Sequence, residues 1–257
     1  MSSAVVWFAE PGVTLSQLRA LLGALSQPPF ELRFNKIGDD RRGYYVSLPD
    51  DERLERLHAG CERAALSLGD SRRKPIFELG YGPRGLSRWC SVGLSQAQTT
   101  WPAGLCVGGL RLLALTLSPL HGYGYIGTPG KGPYGNLHTR PGAYPSRWLP
   151  PPGHGIPNTY IRAEEVDDPR SPEFYEWLNY WSPATAAHLG FPDASRDAEW
   201  LSRAEHLENG GWILQLTPEP LDMEGRPDHV ATVRRFLERF PQVGFRDRPG
   251  VAPSGAG

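Results

Sequence analysis

Ser171-Pro-Glu-Phe-Tyr-Glu-Trp-Leu-Asn-Tyr-Trp-Ser-Pro-Ala-Thr-Ala-Ala-His-Leu-Gly190 is the segment to which the rest of the chain is fitted. Ser171 can cap a helix that Pro172 begins with its fixed φ, and Phe174, Trp177, Leu178 and Trp181 then recur at the spacing of one helical face. A face that large must be buried. Ser182-Pro183 repeats the start signal, because the residue before a proline is driven out of the α region, and Gly190 with Pro192 stops a second helix. The spacing predicts two short helices meeting at a sharp corner. Phe174, Trp177, Tyr180 and Trp181, with Trp212 further along, are read as scaffold, since aromatics at helical spacing are core residues before they are contact residues. Asn179, polar among aromatics, is expected to bond a backbone group and fix the corner.

Working outward, Ala4 to Phe8 reads as a first strand, and Thr14 caps a helix carrying Leu15, Leu18, Leu22 and Leu25. Pro28-Pro29 ends that helix. The alternation from Phe30 to Ile37, the polar turn from Gly38 to Gly43 and the run from Tyr44 to Leu48 predict a hairpin. Asp50 starts a helix whose stripe is Leu54, Leu57, Cys61, Ala64 or Ala65, and Leu68. Two strands, Pro75 to Tyr81 and Leu86 to Leu94, flank Gly82-Pro-Arg-Gly85. Thr99 or Thr100 then caps a helix running from Trp101 to about Leu117, and His121 to Ile126 is a Gly-rich strand. Residues 127–157 are so rich in Gly and Pro that a long irregular loop is expected, a candidate contact surface. Thr159 to Arg162 reads as an edge strand. Asp193 or Ser195 opens a helical piece through Leu201, and Asn209-Gly210-Gly211 turns the chain into a strand from Trp212 to Thr217. The last helix, from Pro227, sets Val230, Val233, Leu237 and Phe240 inward and Arg234, Arg235 and Arg239 toward water. The fold class is α+β. One domain over residues 1–245 is expected, its largely antiparallel or mixed sheet covered by helices, with a disordered tail over 246–257.

The chain has 257 residues, enough for a real core, and a formal charge of −1, with scattered Lys and Arg, so no footprint for nucleic acid or an anionic membrane is expected. Three cysteines without C-x-x-C spacing argue against a disulfide framework and a zinc site. The N-terminus lacks the pattern of a signal peptide, and the apolar run from Leu105 to Leu120 is broken and too short to span a bilayer. A cytoplasmic protein is the expectation.

Candidate chemistry is sparse. Gly127-Thr-Pro-Gly-Lys131-Gly-Pro-Tyr-Gly135 misses the phosphate-loop order, and its prolines remove amides that would cradle a phosphate. Gly93-Leu-Ser95-Gln-Ala97 is one residue short of a nucleophile elbow, between a predicted strand and a helix, so a hydrolase using Ser95 is the alternative function. A polar turn explains the same residues. The seven histidines form no H-x-x-x-H pair, and no cofactor or metal is expected. Paired acids at loops and helix starts are solvated or capping residues. Glu164, Glu165, Asp167 and Asp168 make the best acidic patch, suited to a basic partner.

Trp177-Leu-Asn-Tyr-Trp-Ser182, Gly190-Phe-Pro-Asp193 followed by Arg196-Asp-Ala-Glu199, Gly210-Gly-Trp212 with Gln215-Leu-Thr217, Pro220-Leu-Asp222 and Glu238-Arg-Phe-Pro241 together resemble a family of uncharacterised proteins abundant in myxobacteria. That family is itself similar to immunity proteins of bacterial polymorphic toxin and type VI secretion systems. The likeness covers roughly the last third of the chain. It implies a non-catalytic protein that binds a cognate toxin or effector and covers its active site. On that implication, Glu164, Glu165, Asp167 and Asp168, with Lys131, Tyr134 and His138 of the 127–157 loop, would carry specificity. A structural or scaffolding module is the remaining alternative.

Overall fold

The computed structural model describes residues 2–9, 13–39, 44–47, 50–60, 66–71, 74–84, 87–96, 102–126, 168–172, 175–221 and 226–243. The expected loop over 127–157, the strand from Thr159 to Arg162 and the tail over 246–257 lie outside them.

The first helix, α1 (Leu15–Leu25), follows the sequence closely. Thr14 and Gln17 form a reciprocal capping box, with Gln17 N–H donating to Thr14 Oγ1 and Thr14 N–H to Gln17 Oε1. Leu18, Leu21, Leu22 and Leu25 are buried. Gly23 sits inside this helix, where glycine costs roughly 0.5–1 kcal/mol against alanine. A Cβ there would meet nothing within 4 Å. After α1 the chain does not extend as the alternation from Phe30 predicts. Leu32 N–H returns to Leu25 O, and Glu31 takes left-handed backbone with φ of 50°, so 30–35 folds against the helix end. Phe30 and Phe34 pack on the core sideways, which mimics strand alternation in the sequence.

Strand β1 (Ser2–Ala9) lies inside one ten-stranded sheet, together with β2 (Lys36–Asp39), β3 (Tyr44–Ser47), β4 (Leu66–Ser71), β5 (Lys74–Arg84), β6 (Ser87–Gln96), β7 (His121–Ile126), β8 (Leu178–Trp181), β9 (Ala204–His206) and β10 (Trp212–Gln215). The spatial order is β3-β2-β4-β5-β6-β1-β7-β8-β10-β9, and each pairing is antiparallel. Helices α2 (Asp50–Gly60) and α3 (Ala103–Leu117) share the first cover with α1. Helix α2 ends at Gly60, short of Leu68, which belongs to β4; Cys61, Ala64 or Ala65, and Leu68 continued the helical spacing in the sequence beyond the last helical residue. In α3 the N-cap is Pro102, a residue with no side-chain donor or acceptor, in place of the expected threonines, which lie outside the described residues.

The main correction falls on the organising segment. No helix joins Phe174 to Trp181: Leu178–Trp181 is β8, paired with β7 on one side and β10 on the other. Leu178 and Tyr180 contribute to the core under α1 to α3, while Trp181 enters a second core on the opposite face. That second core is closed by α4 (Pro183–Leu189), α5 (Ala198–Leu201) and α6 (Pro227–Arg239). A strand covered on both faces is apolar without alternation, so its sequence carries no period of two. The signals after it held their meaning. Ser182 caps α4 through Thr185 N–H, Pro183 occupies its first turn, and Gly190 closes it with φ of 65°. Gly211 is required by contact, since a Cβ would lie 2.7 Å from Tyr180 Cε2 and 3.0 Å from Trp181 O.

Candidate functional site

Asn179 brackets the entry to β8. Its Oδ1 accepts Glu176 N–H at 3.1 Å and its Nδ2 donates to Glu176 O at 2.8 Å, closing residues 176–179 into a turn inside the protein. Trp177 carries this turn to the end of β10: its indole N–H donates to Thr217 O, and its carbonyl accepts Leu216 N–H. The buried Glu176 carboxylate acts on both faces. Burial and then its charge push the Cys106 thiol up to about 12, and the same two causes push up the Tyr175 hydroxyl. Cys106 is therefore a thiol packed in the interior, with no thiolate for chemistry at neutral pH.

Just upstream, Asp168, Arg170, Ser171 and His188 come together. Ser171 Oγ lies 2.9 Å from His188 Nε2, and His188 Nδ1 lies 3.6 Å from Asp168 Oδ2. The order is that of a nucleophile, base and acid. Among the described residues, the groups around the pair are engaged in other ways. An acyl-transfer site needs N–H donors converging on the oxyanion, commonly including the residue after the nucleophile, and here that residue is Pro172. Ser171's own N–H is donated to Asp168 O at 3.0 Å. The Asp168 carboxylate is moreover committed to Arg170, whose Nη2 approaches Oδ2 to 2.6 Å and whose Nε and backbone N–H bond Oδ1. The cluster latches the chain entering β8 to the last turn of α4.

Hydrogen bonding from the Arg170 side chain holds the Asp168 carboxyl well down, at about 2. A carboxyl depressed in the folded state contributes stability above its unfolded value of about 3.9, and that contribution is lost as pH falls through about 2. Asp168→Asn is thus expected to show less loss of stability than the parent between about pH 4 and about pH 2, read from urea midpoints. Parallel acid limbs would mean that the latch carries no weight.

Of the residues expected to meet a partner, only Asp168 is described, and its charge is already neutralised by Arg170; Glu164, Glu165, Asp167, Lys131, Tyr134 and His138 lie outside the described residues, as does Phe174. Ser95 is in β6, in register with Ser3 of β1, and not on a strand-to-helix turn, so the elbow geometry is absent there. Sequence reasoning missed the Ser171–His188 contact because residues that far apart meet only through β8, which the sequence presents as helix. Among the described residues no group of three or more His, Cys, Asp or Glu could hold a metal ion, and no helix is long and apolar enough to cross a membrane.

Arg239 corrects a second expectation. It does not face water: its side chain is 11 % exposed and holds Asp197, which is 0 % exposed, through Nε–Oδ1 at 2.6 Å and Nη2–Oδ2 at 2.9 Å. The same Nη2 donates to Gly190 O, and Asp197 Oδ2 accepts Asp193 N–H. Glu199 adds a paired contact to Arg235. The motif residues Gly190, Asp193, Asp197, Glu199 and Arg239 are thus one structural clamp.

These features define an antiparallel α+β protein in which the polar clusters of the described residues brace backbone. A family model described as "Domain of unknown function (DUF5953)" matches residues 142–248, the part holding β8 to β10 and α4 to α6. Among solved structures, the Pseudomonas aeruginosa T6SS protein PA0821 is similar in fold, with a TM-score of 0.57 at 12 % identity, over 98 % of this chain and 77 % of that one. No curated protein matches.

Proposed function

We propose that this protein is an immunity-type protein that binds a cognate bacterial toxin or effector and neutralises it without catalysis. The observation that carries the reading is the fold likeness to a T6SS protein, which runs through nearly the whole chain and not only through the C-terminal motifs. Support comes also from the polar clusters. Pro172 after Ser171 has no N–H and Ser171 N–H is donated to Asp168 O, the Cys106 thiol is pushed up by burial, and the clamp around Asp197 is consumed in holding helices together. A rigid two-faced sheet is a platform on which a segment such as 127–157 and the acidic run from Glu164 to Asp168 could present a specific surface.

The test is affinity purification of the tagged full chain from its native host, followed by mass spectrometry. One stoichiometric partner carrying a toxin domain, whose growth inhibition is relieved by co-expression of this protein, is the expected result. Purification of the protein alone, or a partner whose toxicity is unaffected, overturns the reading.

A further inference from the structure

Asn209-Gly210 is the one Asn-Gly pair in the chain; the other asparagines, Asn35, Asn136, Asn158 and Asn179, precede Lys, Leu, Thr and Tyr. It forms the turn between β9 and β10, where Leu207 N–H donates to Gly211 O at 2.8 Å and Gly210 N–H to Leu207 O at 2.9 Å. The structure fixes both residue types. Gly210 has φ of 79°, and a Cβ there would lie 3.2 Å from Pro183 Cγ. Asn209 is half-buried and ties the turn to two other elements. Its Nδ2 donates to Ala114 O in the last turn of α3 at 3.1 Å and to Tyr180 Oη of β8 at 3.3 Å, while its Oδ1 accepts Gly211 N–H at 3.0 Å.

An asparagine before a glycine is chemically labile, because a glycine without a Cβ leaves its amide nitrogen free to reach the asparagine Cγ. When Gly210 N bonds to Asn209 Cγ, the bond from Cγ to Nδ2 breaks, Nδ2 leaves as ammonia with the proton of the Gly210 amide, and a cyclic imide closes. Water then adds at one of the two imide carbonyls. Opening on the side-chain side gives aspartate, and opening on the main-chain side gives isoaspartate. In the closed hairpin the attacking N–H is engaged by Leu207 O and the Asn209 amide by Ala114, Tyr180 and Gly211, so ring closure requires the turn to open.

We propose that Asn209 is a deamidation site gated by opening of the β9–β10 turn, with water as co-reactant, and that its conversion detaches the turn from α3. The product carboxylate has no hydrogen to donate, so Ala114 O loses this partner. A negative charge is also set beside the C-terminal end of α3, where the helix dipole is itself negative. Isoaspartate further adds a methylene to the main chain between two paired strands. None of this depends on the binding function proposed above.

The experiment keeps the purified full chain and the synthetic peptide His-Leu-Glu-Asn-Gly-Gly-Trp side by side at mildly alkaline pH, maps digests by mass spectrometry, and detects isoaspartate by isoaspartyl-specific methylation. The mass gain of amide-to-acid conversion is expected at Asn209 ahead of every other asparagine, about tenfold or more slowly than in the peptide, since reaction follows the population of open turn. Urea below the unfolding transition should narrow that difference. Asn209→Asp, which carries the aspartate product, is expected to have a lower urea midpoint than the parent and faster hydrogen exchange at the Gly210 and Gly211 amides. Mapping of the parent chain stands by itself if that variant does not fold. Equal rates in chain and peptide would remove the gate. Conversion of another asparagine first, or an intact Asn209 in urea, would remove the site, and an Asn209→Asp chain as stable as the parent would remove the tie to α3.

Discussion

Asp197→Ala is expected to cost about 3–5 kcal/mol of folding stability, the loss typical when one partner of a buried ion pair is removed. The size follows from what remains. Arg239 would keep its guanidinium in the protein with only Gly190 O as a polar partner from the clamp, and Asp193 N–H would lose its acceptor. A desolvated charge without its counterion is costlier than either the pair or an apolar replacement. Since domains are stable by only about 5–15 kcal/mol, the variant should populate unfolded chain measurably at growth temperature. Urea titration followed by tryptophan fluorescence is the measurement, with Glu199→Ala as the comparison. Glu199 is more exposed, and its contacts to Arg235 and Arg203 lie near the surface, so about 1 kcal/mol or less is expected there. If both variants lost equally little, the clamp would be ornamental. If both lost equally much, solvent would not be screening the Arg235 pair.

The clamp bears on how much of the molecule the sequence discloses. Capping and turn chemistry are local, and at Thr14, Ser182, Gly190 and Gly210 the residue types named their own positions. The α+β class and the antiparallel hairpins around β5, β6, β9 and β10 followed from such punctuation. Errors arose where tertiary burial erased the local period. Leu178 to Trp181 is buried on both faces, so four consecutive large residues fit a helix stripe as readily as a strand. Leu68 stood in register with α2 by coincidence of spacing, although it lies opposite Phe77 in the sheet. Charge was less legible still. Arg239 reads as one of three arginines on a solvated helix face, and only the approach of the 190–197 loop turns it inward. Long-range pairs such as Ser171 with His188 depend on the whole course of β8 and α4, and no spacing rule anticipates them.

Trp181→Ala is expected to be of similar severity, about 3–5 kcal/mol, for a different reason. Its ring lies at the centre of the second core, stacked on Phe236 at 6.0 Å and meeting Phe240 at 4.9 Å and Phe191 at 5.4 Å edge to face. Phe236 comes from α6, and Phe191 and Phe240 from the residues just after α4 and α6. Truncation would leave a cavity that the paired backbone of β7, β8 and β10 cannot collapse to fill, so the cavity penalty adds to the lost transfer energy. Trp212, opposite Trp181 on β10, provides the control. It is half-buried, touches Phe191 and His206, and its removal should cost clearly less than that of Trp181. A double-mutant cycle of Trp181→Ala with Phe236→Ala should give a coupling of about 0.5–1.5 kcal/mol, as for other aromatic pairs in contact. Zero coupling would place the two rings apart. A Trp181→Ala cost no greater than that of Trp212→Ala would return Trp181 to an exposed position, and with it the strand assignment from which the two-core architecture is built.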